Sequence, residues 1–194
     1  MTIKGVPNNS LNLYMKIIEN KLREDIFKDK GLEVGAEIGT YKGELAVKLC
    51  EMGLKLYCID PYNVGRPQKR NDFLYKYVTD ILQPYNCKVI RKTSMEALED
   101  FEDESLDFVF IDGNHDFKHV AEDIFEWAKK VRKGGIIAGH DYYNATPQDG
   151  FLCQVSHVVD AYVKTFFIDE LYLIGQSKTS GNPNDVYHSW YFIK

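Results

Sequence analysis

From residue 32 onward, short apolar runs alternate with longer stretches whose apolar side chains recur every third or fourth position. The runs "LEVGAEIG" (32–39), "KLYCID" (55–60), "CKVIRK" (87–92), "LDFVFID" (106–112) and "GGIIAG" (134–139) predict strands buried on both faces of a sheet. Between them, "GELAVKLCEMG" (43–53) reads as a helix closed by Gly53. "DFLYKYVTDIL" (72–82) reads as a second helix after a loop from Pro61 to Asn71, and a short third begins near Ser94. "FKHVAEDIFEWAKKV" (117–131) sets Val120, Ile124, Trp127, Ala128 and Val131 on one helical face, and another helix is expected at about 152–165. Strands alternating with helices need crossover connections, which predicts an α/β fold on a mostly parallel sheet. The last two strands, "LYLIG" (171–175) and "WYFIK" (190–194), have no helix between them. The polar loop "QSKTSGNPNDVYHS" (176–189) joins them, so they are expected to close the sheet as an antiparallel pair. Ahead of all this, Leu11, Tyr14, Ile17, Ile18, Leu22 and Ile26 follow helical spacing, with Ser10 as N-cap and Gly31 as the break.

This order has a chemical consequence. In an open parallel sheet, ligands bind beyond the carboxyl ends of the strands, near the point where strand order reverses. Glu37, Asp60, Ser94, Asp112 and Asp141 all fall at or just past such ends, and the loop at 176–189 leaves its strand at the same edge as a candidate lid. The turn "GAEIGTYKG" (35–43) is glycine-rich, yet it is neither GxGxxG nor a phosphate-binding loop. Alone it is equally an ordinary strand-to-helix turn. Asp60 lies 21 residues after Gly39, at the end of the next strand, where a carboxylate can accept both hydroxyls of a ribose. Glu37, inside the first turn, would repel a pyrophosphate and attract an ammonium or a sulfonium. The charges favour a phosphate-free nucleoside over a dinucleotide.

Composition narrows the picture further. The 194 residues suffice for one domain, and a net charge of −5 leaves no basic footprint, so nucleic acid is not an expected partner. No apolar stretch is long enough to span a bilayer, and the N-terminus lacks the apolar core of a signal peptide. Cys50, Cys58, Cys87 and Cys153 have no CxxC spacing, and Cys58 and Cys87 sit inside apolar runs as small core residues; a reducing compartment is the economical inference, so the cytoplasm is the expected location.

Taken in order, "VGAEIGTYKG", "CIDPY", "KTSMEAL", "LDFVFIDGNHDFKHVAEDIFEW" and "VRKGGIIAGHDYY" resemble the class I S-adenosylmethionine-dependent methyltransferases. The branch looks like the small "IDGxH" group, related to the catechol, caffeoyl-CoA and macrolide-sugar O-methyltransferases. The resemblance implies a Rossmann-like three-layer sandwich, with a seven-stranded, mostly parallel sheet and an antiparallel last strand. It implies a single domain over 1–194, with a helical cap at 1–30 and a catalytic core at 31–194. Glu37 and Gly39, with backbone near Thr40 and Tyr41, would hold the amino-acid end of S-adenosylmethionine. Asp60 would take the ribose and Ser94 would lie against the adenine, with Asp112 bordering the cofactor. Asp112 also falls on a metal-binding aspartate of the metal-dependent relatives, and their adjacent acid–amide pair falls on His140 and Asp141. Their catalytic lysine falls on His115. An imidazole at position 140 would favour Mn, Fe, Ni or Zn over Mg, if a divalent metal is bound there.

The clusters "FIDGNHD" (110–116) and "GHD" (139–141) have a second reading as helix cap and turn, in which Asp112 or Asn114 caps the helix at Phe117. Read together, they place Asp112, His115, His140 and Asp141 at the ends of neighbouring strands. There a base, His115 or His140, would deprotonate a small-molecule hydroxyl, with or without a metal. Tyr142, Tyr143 and Phe151 are candidates for the substrate wall, and His119 on its helix is expected to be a surface or packing residue. The partner is thus a small-molecule acceptor and not a membrane. Oligomeric state is open, a homodimer being one expected form. The competing readings are a nicotinamide-dependent dehydrogenase and a non-catalytic nucleoside- or partner-binding module.

Overall fold

A computed structural model of the chain describes residues 14–19, 21–63, 65, 67–175 and 188–194. Its strands are β1 (Tyr14–Glu19), β2 (Val34–Ile38), β3 (Lys55–Ile59), β4 (Cys87–Ile90), β5 (Leu106–Ile111), β6 (Val131–Gly139), β7 (Glu170–Gly175) and β8 (Ser189–Ile193). The helices are α1 (Glu44–Glu51), α2 (Gln68–Leu82), α3 (Ser94–Ala97), α4 (Phe117–Lys130) and α5 (Val155–Thr165). All eight strands join one sheet in the order β1-β7-β8-β6-β5-β2-β3-β4. The pairs β2–β3, β3–β4, β2–β5, β5–β6 and β1–β7 are parallel, and β8 runs antiparallel to both β6 and β7. The sequence-derived α/β architecture and the antiparallel closing strand are therefore present.

Apolar side chains cover both faces of the sheet. Val120, Ile124, Trp127, Val159 and Val163, from α4 and α5, pack with Val109, Ile111 and Ile137. Leu45, Leu49, Val78 and Leu82, from α1 and α2, pack with Leu56, Phe108 and Phe110 on the other side. The order reverses between β2 and β5, so the carboxyl ends of these two central strands form the switch point where such sheets bind ligands.

The N-terminal expectation is corrected. The single helix expected over 11–27 does not form across its described residues. Tyr14–Glu19 is an eighth strand in parallel register with β7, from Tyr14↔Glu170 to Glu19↔Gly175, and only Arg23–Ile26 winds into a 3₁₀ turn. The physical reason is that β7 would otherwise leave an unpaired edge, and a β-branched, aromatic segment can fill it. Ile26 and Phe27 do bury, against Phe108 and Phe110. The N-cap assigned to Ser10, and Leu11, lie outside the described residues. So does 176–187, the main part of the suggested lid. No helix among the described residues is long and apolar enough to cross a membrane.

Candidate active site

β2 ends in a turn that brings backbone close to backbone. Gly39 has φ +88°, and a Cβ there would lie 2.1 Å from the carbonyl oxygen of Asp112, so only glycine fits. The Gly39 N–H donates to the Ile59 carbonyl at 2.8 Å, which turns the chain toward β3. At the end of β3, Asp60 is held by backbone: Tyr41 N–H donates to Oδ2 at 2.9 Å and Tyr62 N–H to Oδ1 at 2.7 Å. Each oxygen keeps a lone pair for a further donor, which suits a pair of ribose hydroxyls.

Glu37 is 3% exposed, and its Oε2 has no hydrogen-bond partner among the described residues. Burial pushes its carboxyl up to about 8. Asp112 and Asp60 add to the shift, while the Thr40 hydroxyl and the Arg23 charge oppose it. A buried acid with an unpaired oxygen next to a glycine turn fits a cationic group of a ligand, so the residues present are compatible with the amino-acid end of S-adenosylmethionine.

Across the switch point, Asp112 follows β5 and donates its N–H to Ile38 at 2.8 Å. His115 Nε2 stands 3.6 Å from Asp112 Oδ1 and 3.2 Å from Asp141 Oδ2, at ion-pair distance but out of line for a hydrogen bond. Asp112, then the charge of Asp141, raise the imidazole pKa above its usual value, against the opposing effect of burial. His140 is buried behind them, with Nδ1 3.0 Å from Asp141 Oδ1. Burial alone would raise the Asp141 carboxyl, but the hydrogen bond and charge of His140 and the charge of His115 hold it below the usual range. Asp141 also has a left-handed backbone, φ +54°, a strained conformation of the kind that clusters at functional sites.

The ligand atoms of Asp112, His115 and Asp141 lie within 4.8 Å of one another. His140, which the resemblance placed among the metal ligands, is not in that set. Its imidazole addresses the other oxygen of Asp141, where it orients the carboxylate. The helix-cap reading of "FIDGNHD" also resolves. Asp116 caps α4 by accepting from His119 N–H at 3.0 Å, and Asn114 accepts from Asp116 N–H at 3.2 Å, so Asp112 is not spent on the cap. His119 pairs with Asp116 on the exposed side of α4.

Ser94 is tied down. Its hydroxyl donates to Asp123 and accepts from the Trp127 indole at 2.7 Å, which leaves its backbone or remaining lone pair for an adenine. Asp123 was missed, although its signal was readable as an acid on the apolar stripe of α4. It is 4% exposed, and burial pushes its carboxyl up to about 6. Arg23 and Gln154 were missed for a different reason, since only the fold brings them in. Arg23 Nη1 lies 3.7 Å from Asp112 Oδ2. Gln154 N–H donates to the His115 carbonyl at 2.8 Å, and its side-chain oxygen accepts from Phe117 N–H at 2.9 Å, clamping the 141–154 loop onto the His115 turn. Within that loop, Tyr143 meets Phe151 edge-on at 5.8 Å, and Tyr142 donates to Asp160 at 2.6 Å. Phe151 stays 45% exposed, and Tyr142 is engaged with α5.

A mostly parallel open sheet with a glycine turn, a backbone-held acid and an acid–imidazole cluster at its switch point is an α/β fold of the kind that binds ligands at that edge. A methyltransferase-domain family model matches residues 36–142, more than half of the chain and nearly every strand-end residue above. The chain belongs to that methyltransferase family, which implies S-adenosylmethionine as the methyl donor and sets the dehydrogenase reading aside. Solved structures share the fold. A methyltransferase from Archaeoglobus fulgidus, described as dependent on S-adenosylmethionine, superposes with TM-score 0.63 at 15% identity, over 89% of this chain and 91% of that one. A Staphylococcus aureus protein provisionally assigned as a caffeoyl-CoA O-methyltransferase gives 0.63 at 12% identity, over 88% and 80%. The N-methyltransferase NodS of Bradyrhizobium japonicum WM9 gives 0.60 at 16% identity, over 84% and 86%. A curated relative, the uncharacterized protein y4gI of Sinorhizobium fredii, is 37% identical over 54 residues, 28% of this chain and 6% of its own length.

Proposed function

We propose that the chain transfers a methyl group from S-adenosylmethionine to a hydroxyl of a small molecule, with His115 as the general base. The observation that carries this reading is the place of His115, between Asp112 and Asp141 beside the Gly39 turn. The bound donor supplies an electrophilic methyl carbon on a good leaving group. The chain must supply alignment and an acceptor oxygen relieved of its proton. His115 accepts that proton as the oxygen bonds to the methyl carbon, and Asp112 and Asp141 stabilise the imidazolium. His140 orients Asp141, Asp60 holds the ribose and Glu37 faces the cationic end of the donor. A neutral amine acceptor would not need such a base, which is why the cluster favours oxygen over nitrogen.

A metal-assisted version has its own support, the grouping of Asp112, His115 and Asp141 within 4.8 Å. Two carboxylates and an imidazole suit Mn, Fe or Zn better than Mg, and such a cation lowers the pKa of a hydroxyl bound to it. His115 cannot ligate and accept the proton through one nitrogen, so the versions exclude each other. The pairing of Arg23 with Asp112, which already supplies a positive charge, favours the metal-free one.

The test is S-adenosylhomocysteine binding by calorimetry, then turnover on catechols, sugars and other diols with and without EDTA. Binding that Asp60→Ala abolishes, and turnover that survives EDTA but is lost in His115→Ala, are the expected results. No binding at millimolar cofactor, or full turnover in His115→Ala, would sink the reading. Loss of activity with EDTA would select the metal-assisted version.

A further inference from the structure

We infer that Arg23 is the receptor for the α-carboxylate of the methyl donor, completing with Glu37 a cradle for its zwitterionic amino-acid end. This rests on the donor proposed above and adds a residue outside the matched span of 36–142. The argument begins with how Arg23 is held. Its neighbours Ile26 and Phe27 are 1% and 2% exposed, Glu24 pairs with Lys48 of α1 at 2.6 Å, and the Asp25 carboxylate accepts from Leu22 N–H at 2.8 Å. The short 3₁₀ turn is thus fixed on both flanks, and its one arginine reaches over the carboxyl ends of β2 and β5.

The guanidinium is placed but not consumed. Its ion pair with Asp112 is 3.7 Å long, beyond hydrogen-bond range, so its forked donors remain for a closer acceptor. It also lies within electrostatic reach of Glu37 and Asp141. Among the described residues, Glu37, Asp60, Asp112 and Asp141 have no other lysine or arginine as a salt-bridge partner.

A site of acids alone would attract the ammonium and sulfonium of the donor but repel its carboxylate. An α-amino acid carries both signs within a few ångströms, and this site offers both: the unpaired Glu37 Oε2 for the ammonium and the Arg23 fork for the carboxylate. Turned outward, the same fork would serve an acidic acceptor, so the two sources of a carboxylate have to be told apart.

The experiment compares two probes by calorimetry: S-adenosylhomocysteine, and its decarboxylated analogue, which keeps the ammonium. In the wild-type chain the complete ligand should bind on the order of ten- to a hundredfold tighter than the analogue. In Arg23→Met that gap should close, with analogue affinity no weaker than wild type. Arg23→Lys, which keeps the charge but not the fork, should fall between them and guards against a folding defect in the first variant. A gap that persists in both variants would overturn the assignment while leaving the proposed donor intact. Failure of the wild-type chain to bind either probe would overturn both.

Discussion

Two ionisable side chains, Glu37 and His115, carry pH signatures of the same sign, because the fold raises the pKa of both. Glu37 is pushed up to about 8 by burial, so its ionised form is penalised in the folded chain. The stability associated with its protonation is complete below about pH 4.5, the ordinary glutamate range, and is lost as pH rises toward 8. Glu37→Gln removes this dependence. Its melting temperature should exceed that of the wild type by an amount that grows between pH 5 and 8.5, corresponding to a few kcal/mol at most, while ligand affinity falls. A melting difference that is flat with pH would refute the buried-acid assignment. His115 is raised, so its contribution to stability is present below about pH 6.5 and fades as pH climbs through its folded value. Neutral imidazole is the active base, so turnover should increase over that same interval. Asp141→Asn should bring the His115 titration, followed by NMR, back down toward 6.5.

At the scale of elements, the turn after β2 and the start of α4 separate a site lesion from a structural one. Gly39→Ala combines a left-handed φ with a Cβ 2.1 Å from the Asp112 carbonyl. The conformation alone costs about 1–2 kcal/mol, and the collision pushes β2 away from β5. Urea melts should show a loss beyond that figure, together with loss of nucleoside binding. Asp116→Ala removes only the α4 cap, at about 1 kcal/mol, and should leave S-adenosylhomocysteine affinity unchanged. If it weakened binding as much as Gly39→Ala, the cap and the site would not be separate. The sequence marked both places: glycine spacing pointed to the turn, and the acid–amide run before an apolar stripe pointed to the cap. It named Asp112 or Asn114 as the cap where Asp116 takes that place, because the choice depends on where α4 begins to wind.

For the whole molecule, β1 is the revealing part. Helical spacing over 11–27 is a local signal, but the β7 edge is a larger attraction that no local window contains. Removing residues 1–20 should leave the outer edge of β7 unpaired, while β8 still pairs its other side, with Leu171 and Leu173 flanking the open edge. Self-association on gel filtration is then expected, and an unchanged elution volume would argue against it. The same N-terminal path delivers Arg23 to the switch point, so its position could not be read from spacing either.

What the sequence determined by itself was the alternation of strands and helices, the parallel character of the sheet, and the chemistry waiting at the strand ends. Those follow from local periodicity and from the rule that buried strands stop where polar residues begin. The tertiary structure decided which of those groups meet. It placed His115 rather than His140 between Asp112 and Asp141, turned Ser94 toward Asp123 and Trp127, and brought Arg23 and Gln154 to the rim. Such choices depend on rotamers and on segments far apart in the chain, where a shift of a few ångströms separates a ligand from a neighbour.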